Sequence, residues 1–322
     1  MTNLGAMTSY GLDSGRATFL AATAATVAVP SLVKAAEPLN VGIPPGDGAG
    51  SAFYADQLGF FKSAGLDVKL SVLPNGPAIA AATSGGTLDI GGVNTGSLAS
   101  ARLRGVPLRA VAPTAVIGSG PIGDALMVGK NSPIRTGADF AGKTVATNAL
   151  GTAQHAGGMA WIDAHGGDAK NAKFVELSIP AMAAAIDAGR IDAGVFSEPF
   201  GTLASPNLRS LGPLYEGMRK PFLIFALTAT DQWLANNAAT AAKFAAAIRQ
   251  AGAWSNAREH ERERRQMNVA LTKLEPQVIE KMILWEMGTT LDAAMIQPVV
   301  SMMVKYGFLE RAVNPNDMVW RG

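Results

Sequence analysis

The sequence predicts an α/β fold of mostly parallel strands, on three observations. Short apolar runs alternate with helix-periodic stretches at the spacing of βαβ units. The turns that join them are rich in Gly, Asn, Ser and Thr, the residues that cap helix N-termini. One unit also recurs. Gly85, then Leu88-Asp89-Ile90-Gly91-Gly92-Val93, is echoed by Gly189-Arg190-Ile191-Asp192-Ala193-Gly194-Val195. Each is a glycine closing a helix, a short turn and an (L/I)D(I/A)G strand, and the repetition predicts two similar α/β lobes.

The first unit is LNVGIPPGDGAGSAFYADQLGFF, residues 39–61. Its apolar opening reads as a strand, PPGDGAGS as a loop, and Phe53, Leu58 and Phe61 as the inward face of a helix. Residues 66–73 alternate apolar and polar and end at Pro74-Asn75-Gly76-Pro77: a strand, then a helix with proline in its first turn and Asn75 available as cap. Residues 88–93 form the third strand, Asn94-Thr95-Gly96-Ser97 opens the next helix, and residues 106–111 form a fourth strand. A Gly- and Pro-bearing loop, residues 117–123, breaks the rhythm. The second set then runs through strands at 125–128, 143–147, 172–177 and 191–196, with helices from Thr152 and Pro180. After a strand at 223–228 the chain turns helical, with Phe244, Ile248 and Ala251 on one face and helices expected at 276–285 and 298–306. These amphipathic helices need a surface to cover, and the first lobe is the expected one. Residues 258–265 alternate in sign and read as a solvated helix face.

The 322 residues suffice for one large or two ordinary domains with sizeable cores. A formal net charge of +2 with 16% charged residues gives no electrostatic footprint for a nucleic-acid partner. With no cysteine, disulfides, zinc-thiolate sites and cysteine nucleophiles are excluded together. At the N-terminus Arg16 precedes a small, apolar run over residues 17–29, and Val33-Lys34-Ala35 offers a cleavage site before Ala36. Residues 1–35 are therefore expected to be an export signal, of the Sec or a degenerate twin-arginine type.

Several segments together resemble a known family, the periplasmic substrate-binding proteins of ABC importers for sulfonates, nitrate, taurine and thiamine-precursor pyrimidines. They are Ala55-Asp56-Gln57-Leu58-Gly59-Phe60-Phe61 with Gly65-Leu66-Asp67-Val68; Gly85 to Gly91; Lys130-Asn131-Ser132-Pro133-Ile134; Asp139 to Ala146; Ile191-Asp192-Ala193-Gly194 with Ser197-Glu198-Pro199; and Tyr306-Gly307-Phe308. The resemblance runs from about residue 39 to the end, with the segments in family order. It implies a two-lobed periplasmic-binding-protein-like fold of type II, its lobes joined by hinge strands and closing on ligand. Residues 36–115 and 228–322 would form lobe 1, and residues 116–227 lobe 2. It also implies a small-molecule ligand, permease subunits as partners, a periplasmic location, no cofactor and a monomer.

Candidate chemistry concentrates at four polar turns that each lead into a helix: 47–51, 75–76, 94–95 and 148–152. Free N–H groups at a helix start hold an oxyanion without help from lysine or arginine. The same residues can equally serve only as helix caps; family position favours Asn94, Thr95 and Thr152 as ligand contacts. The expected ligand set is Asp47, Gly48, Ser51, Asn75, Asn94, Thr95, Asn148, Gly151 and Thr152, with His155 just inside the following helix, Glu198, and the aromatics Phe53 and Phe200 for stacking. No metal site is expected, since no two histidines stand at ligand spacing. Gly46, Gly48 and Gly50 follow a strand without the G-x-G-x-x-G spacing of a dinucleotide loop, and no acid ends the second strand. Asp47 and Glu198 can each cap a helix or pair with a nearby base; if both face the cleft, they repel a bare nitrate or sulfate and favour a zwitterion or an amine-bearing heterocycle.

The expected function is an exported, non-catalytic receptor that captures a small polar organic solute and delivers it to an ABC-type importer. The rival is an enzyme on the same scaffold. The pyrimidine-precursor synthases related to this family use a cysteine-rich segment, a lysine-bound pyridoxal phosphate and a histidine; the menaquinone-precursor lyases are cytosolic. The missing cysteines and the apparent export signal argue against both.

Overall fold

The computed structural model describes residues 38–322. The expected export signal lies outside the described residues. In chain order the first elements are β1 (Leu39–Ile43), α1 (Ser51–Gln57), α2 (Phe60–Ser63), β2 (Val68–Val72), α3 (Gly76–Ser84), β3 (Ile90–Asn94), α4 (Thr95–Leu103), β4 (Leu108–Pro113) and β5 (Ala115–Ile117). The second group is β6 (Asp124–Gly129), β7 (Thr144–Thr147), α5 (Ala153–Ala164), β8 (Lys173–Glu176), α6 (Ile179–Asp187), β9 (Ala193–Ser197), α7 (Phe200–Ala204) and β10 (Leu208–Pro213). The chain ends with β11 (Phe222–Leu223), β12 (Phe225–Thr230), α8 (Asp231–Asn236), α9 (Ala238–Asn256), α10 (Glu261–Thr272), α11 (Pro276–Lys281), β13 (Glu286–Met287) and α12 (Gln297–Lys305).

Two five-stranded sheets carry the fold, in the orders β2-β1-β3-β12-β4 and β10-β6-β9-β7-β8. In each, the βαβ strands run parallel, β1 with β2 and β3, and β7 with β8 and β9. The sheet of each lobe also contains antiparallel strands that periodicity alone does not announce. β12 lies antiparallel between β3 and β4, because the chain re-enters the first sheet from the second. β10, absent from the sequence reading, forms an antiparallel edge on β6. A three-stranded sheet, β11-β5-β13, sits where the chain passes between the two large sheets.

Local chemistry fixes the helix starts that matter later. Asn75, Asn94, Thr152 and Thr230 each accept a backbone N–H from the first turn of α3, α4, α5 and α8, caps of about 1 kcal/mol each. A Cβ at Gly91 would collide with Ile79 and Thr83, so glycine is what lets α3 lie directly on β3. The C-terminal helices cover the first sheet as expected: Phe244 of α9 stacks on Phe61 with ring centroids 5.1 Å apart. Burying each such ring stabilises the fold by roughly 1.5–3 kcal/mol. α12 packs on α4 and on α5, joining the two halves.

Two expectations fail here. The helix expected at 276–285 ends at Lys281, and Trp285 lies outside it, just before β13. The mixed-charge stretch 258–265 is not wholly solvated. Glu261 and Arg265 do pair on the surface at 2.8 Å, one turn apart, but Arg264 between them is buried. A charge run is thereby split by one residue whose partner lies on the far side of the sequence.

Candidate functional site

Besides the short α7, which begins at Phe200, four helices begin at one cavity of about 200 Å³. Asn75, Gly76 and Pro77 bring the start of α3, Asn94 that of α4, Thr152 that of α5, and Ser178, Ile179 and Pro180 that of α6. Each start exposes unpaired N–H groups and the positive end of a helix dipole, equivalent to about half a charge. Asn94 Oδ1 accepts Ser97 N–H at 2.7 Å and lies 3.5 Å from Ala153 N, so one side chain touches the starts of two helices. With Oδ1 of Asn94 and of Asn75 occupied as caps, their amide nitrogens are left as donors. Across the mouth Asn148 Nδ2 donates to the Pro74 carbonyl at 3.4 Å.

The end formed by β9 has the opposite polarity. Gln154 Nε2 donates to Ser197 Oγ at 2.5 Å and to Asp124 Oδ1 at 3.2 Å. Ser197 Oγ and Tyr215 Oη also donate to the Asp124 carboxylate. Burial pushes the Asp124 carboxyl up to about 6, although these three donors hold it lower than burial alone would. The amide nitrogen of Gln154 is thus fixed on Asp124, and its Oε1 has no partner among the described residues. Glu198 completes this end. It is 7% exposed, accepts the hydroxyl and N–H of Thr202, and has no ion-pair partner among the described residues. Burial raises its pKa, while the Thr202 and Ile283 hydrogen bonds oppose the rise. Among the described residues no lysine, arginine or histidine lines the cavity.

Phe200, Phe225 and Trp285 supply the apolar wall, the last two meeting edge to face at 6.2 Å. Trp285 is held from behind. Its N–H donates to Asp47 Oδ2 at 2.9 Å and its carbonyl accepts Arg264 Nη2 at 2.6 Å. Gly48 lies against the Phe225 ring, where a Cβ would stand 3.2 Å from it.

Of the expected ligand residues, the structure gathers Gly48, Asn75, Asn94, Asn148, Thr152, Glu198 and Phe200 on this cavity. It corrects the others. Asp47 is fully buried and turned away, bound by Arg264, Tyr54, Asn268 and the Trp285 backbone. Ser51 is buried against Met287 and Thr95 donates to the Leu223 carbonyl, so both hydroxyls serve packing. Phe53 packs against the core. Gly151 turns the chain at φ +69° and gives its N–H to His155 Nδ1. His155 is wedged between Phe174 and Phe308, at 4.4 and 4.5 Å, and burial lowers its pKa to about 4. Sequence reasoning missed Gln154, Ser197, Phe225 and Trp285. It placed a helix from Pro180 but did not count that start, Ser178–Pro180, among the polar turns of the site, although a strand followed by a polar residue and a helical Pro is the signal used at Asn75. Among the described residues no group of three or more His, Asp or Glu could hold a metal.

A groove of about 840 Å³ between α5, α12 and residues 215–221 is larger, but a single long helix, α12, starts there at Gln297–Pro298, and among the described residues no uncompensated buried carboxylate lines it. The cleft is therefore the candidate site.

No curated protein matches the chain. Among solved structures, the alkanesulfonate-binding protein SsuA from Xanthomonas axonopodis pv. citri bound to MOPS is 20% identical, with 89% of this chain and 100% of that one aligned at a TM-score of 0.74. The periplasmic aliphatic sulphonate binding protein SsuA from Escherichia coli is 19% identical over 88% and 92%, with a TM-score of 0.70. The periplasmic nitrate-binding protein NrtA from Synechocystis PCC 6803 is 15% identical over 86% and 83%, with a TM-score of 0.71. At these identities they establish a shared periplasmic-binding-protein fold. Residues 49–263 match the model of the family described as NMT1/THI5 like, and the chain belongs to that family.

Proposed function

We propose that the protein is an exported, non-catalytic receptor that closes two lobes on a small zwitterionic solute and hands it to the permease of an ABC-type importer. The lobes are residues 36–115 with 228–322, and residues 116–227. The observation that carries the ligand class is the polarity of the cleft. Four helix starts with Asn75 and Asn94 form a donor end suited to a sulfonate or carboxylate. Glu198, Ser197 and the free Oε1 of Gln154 form an acceptor end suited to an ammonium or another N–H donor. Burying Glu198 without a cation is costly, and a ligand ammonium would supply the missing charge. The cavity's volume of about 200 Å³ lies below the usual range of ligand pockets, which suits a compact solute.

The sulfonate- and nitrate-binding proteins named above support the donor end as an anion site. The Ser197 hydroxyl donates straight to Asp124 with no histidine between them, an arrangement that orients a contact rather than activating a nucleophile. The test is a thermal-shift panel on the protein lacking residues 1–35, using taurine, β-alanine, ethanesulfonate, nitrate, alkylamines and aminopyrimidines. A true ligand at a hundredfold its Kd adds about 2.7 kcal/mol. The expected result is a shift for the zwitterions with no turnover; turnover of any panel compound contradicts the receptor reading.

A further inference from the structure

We propose that Asp124, which lies behind the cleft rather than in its wall, is the positioning residue that decides the polarity of the acceptor end: it obliges Gln154 and Ser197 to turn oxygen, not hydrogen, toward the ligand. The inference rests on the zwitterion reading above and names the residue that enforces it.

Gln154 and Ser197 are ambivalent by chemistry. A primary amide has two N–H donors at one end and a carbonyl acceptor at the other, and a hydroxyl has one proton and two lone pairs. Either group could meet a solute as donor or as acceptor, so their presence in the cavity wall does not fix what they recognise. Strand register supplies the residue that removes the ambiguity. Asp124 opens β6 and pairs directly with Ser197, the last residue of β9, in the antiparallel ladder. Directly opposed residues share one face of a sheet, so the strands themselves bring these two side chains together. Gln154, in the first turn of α5, and Tyr215, just past β10, close on the same carboxylate from two further elements.

Asp124 is fully buried, and its side-chain partners among the described residues are three neutral groups. An ionised carboxylate only accepts hydrogen bonds. Asp124 stays ionised above pH 7, since burial lifts its pKa only to about 6. Each partner must therefore be a donor. Tyr215 Oη donates to Oδ2 at 3.2 Å. Ser197 commits its single proton to Oδ1, which leaves its lone pairs for Gln154 Nε2, at 2.5 Å, and for the cleft. Gln154 Nε2 also donates to Asp124 Oδ1 at 3.2 Å, so the nitrogen end of a planar amide is held inward and Oε1 is left for the cavity. Reversing that amide would set its oxygen against the carboxylate, two acceptors in contact where low dielectric makes the repulsion most costly. One carboxylate outside the wall thus turns two ambivalent groups into acceptors.

Asp124→Asn keeps the shape but replaces an obligatory acceptor with a group that both donates and accepts, so Gln154 is free to turn its nitrogen to the cleft. Titration calorimetry above pH 7 with taurine and ethanesulfonate gives the selectivity, the ratio of the ethanesulfonate Kd to the taurine Kd. Asp124→Asn is expected to lower this ratio by about tenfold, the worth of a hydrogen bond to a charged donor, while ethanesulfonate still binds. A merely structural role would weaken both ligands together and leave the ratio in place. The charge of Asp124 also reaches Glu198, so the substitution is repeated in Gln154→Met. There the ratio starts lower, and Asp124→Asn is expected to change it by no more than about threefold, because the group it acts through is gone. A second measurement needs no change at Asp124. In the parent protein the Gln154 amide protons, assigned by their loss in Gln154→Met, are expected to show nuclear Overhauser contacts to the Ser197 methylene and none to bound taurine. A ratio unchanged in Asp124→Asn, an equal drop with and without Gln154, or amide protons that contact taurine each overturn the positioning role and leave the zwitterion reading standing. A parent protein that binds ethanesulfonate as tightly as taurine overturns that reading, and this inference with it.

Discussion

Arg264 Nη2 donates to Asp47 Oδ2 at 2.6 Å across 217 residues of sequence, with both side chains buried. The same guanidinium binds the carbonyls of Ser255 and Trp285. One ion pair therefore fixes the opening loop, the end of α9 and an aromatic wall of the cleft. Tyr54 and Asn268 occupy the other Asp47 oxygen, so the carboxylate is satisfied without ligand.

Removing one partner strands the other as a buried charge. Arg264→Met is expected to cost about 3–5 kcal/mol by urea denaturation, and the double variant Asp47→Leu/Arg264→Met to recover a large part of it. A loss below about 1 kcal/mol in the single variant would show that the pair does not organise the loop.

Asp124 makes part of the stability rise on mild acidification. Its carboxyl titrates at about 6 in the folded protein against 3.8 ordinarily, because burial disfavours the charge. Above pH 6 both states are ionised and the folded state bears about 3 kcal/mol of penalty; below the unfolded value there is none. The contribution therefore improves as pH falls through 6 toward 4. In Asp124→Asn this improvement is absent, and denaturation curves at pH 4.5 and 7 compare the two proteins directly.

His155 works in the opposite sense over the same range. Burial between Phe174 and Phe308 lowers its pKa to about 4 from 6.5, so it stays neutral in the folded protein near pH 7. Its contribution is complete above 6.5 and is lost as pH falls to 4, a loss of roughly 3 kcal/mol. His155→Leu is expected to unfold with a flatter acid profile than the parent, and an identical acid limb would show that the imidazole takes up its proton before unfolding.

Gly96 sets how closely α4 and α5 approach. A Cβ there would stand 2.8 Å from Ala153 N and 3.1 Å from Met303 Sδ. Gly96→Ala must push the start of α5 away from Asn94 and so loosen the donor end of the cleft. Titration calorimetry is expected to show weaker ligand binding with dissociation accelerated, even though alanine favours the helix itself.

What the sequence made legible was local. Helix starts at Asn75, Asn94 and Thr152 follow from short-range capping chemistry, and all three reach the cavity. The parallel strands follow from βαβ spacing. What escaped was long-range pairing. Asp47 looked free because its partner Arg264 lies inside a charge run that otherwise is solvated. Gln154 was passed over for its neighbour His155 because the direction of each side chain on the first turn of α5 depends on Asp124 and Phe174, elements far away in sequence. Trp285 reads as a core residue by spacing and does pack tightly, yet one face belongs to the cleft. β12 is apolar in sequence, and only the return of the chain between lobes inserts it antiparallel into the first sheet.

The central claim is that the cleft reads both ends of a zwitterion, with Glu198 taking the ammonium. Calorimetric titration of taurine and of ethanesulfonate into the parent protein and into Glu198→Gln tests it most directly. Loss of a charge-assisted hydrogen bond worth about 1.5–3 kcal/mol should weaken taurine binding by at least about tenfold in Glu198→Gln. Ethanesulfonate, which lacks the amine, should bind the variant as well as or better than the parent. Equal taurine affinity in the two proteins, or tighter binding of ethanesulfonate than of taurine by the parent, would contradict the account.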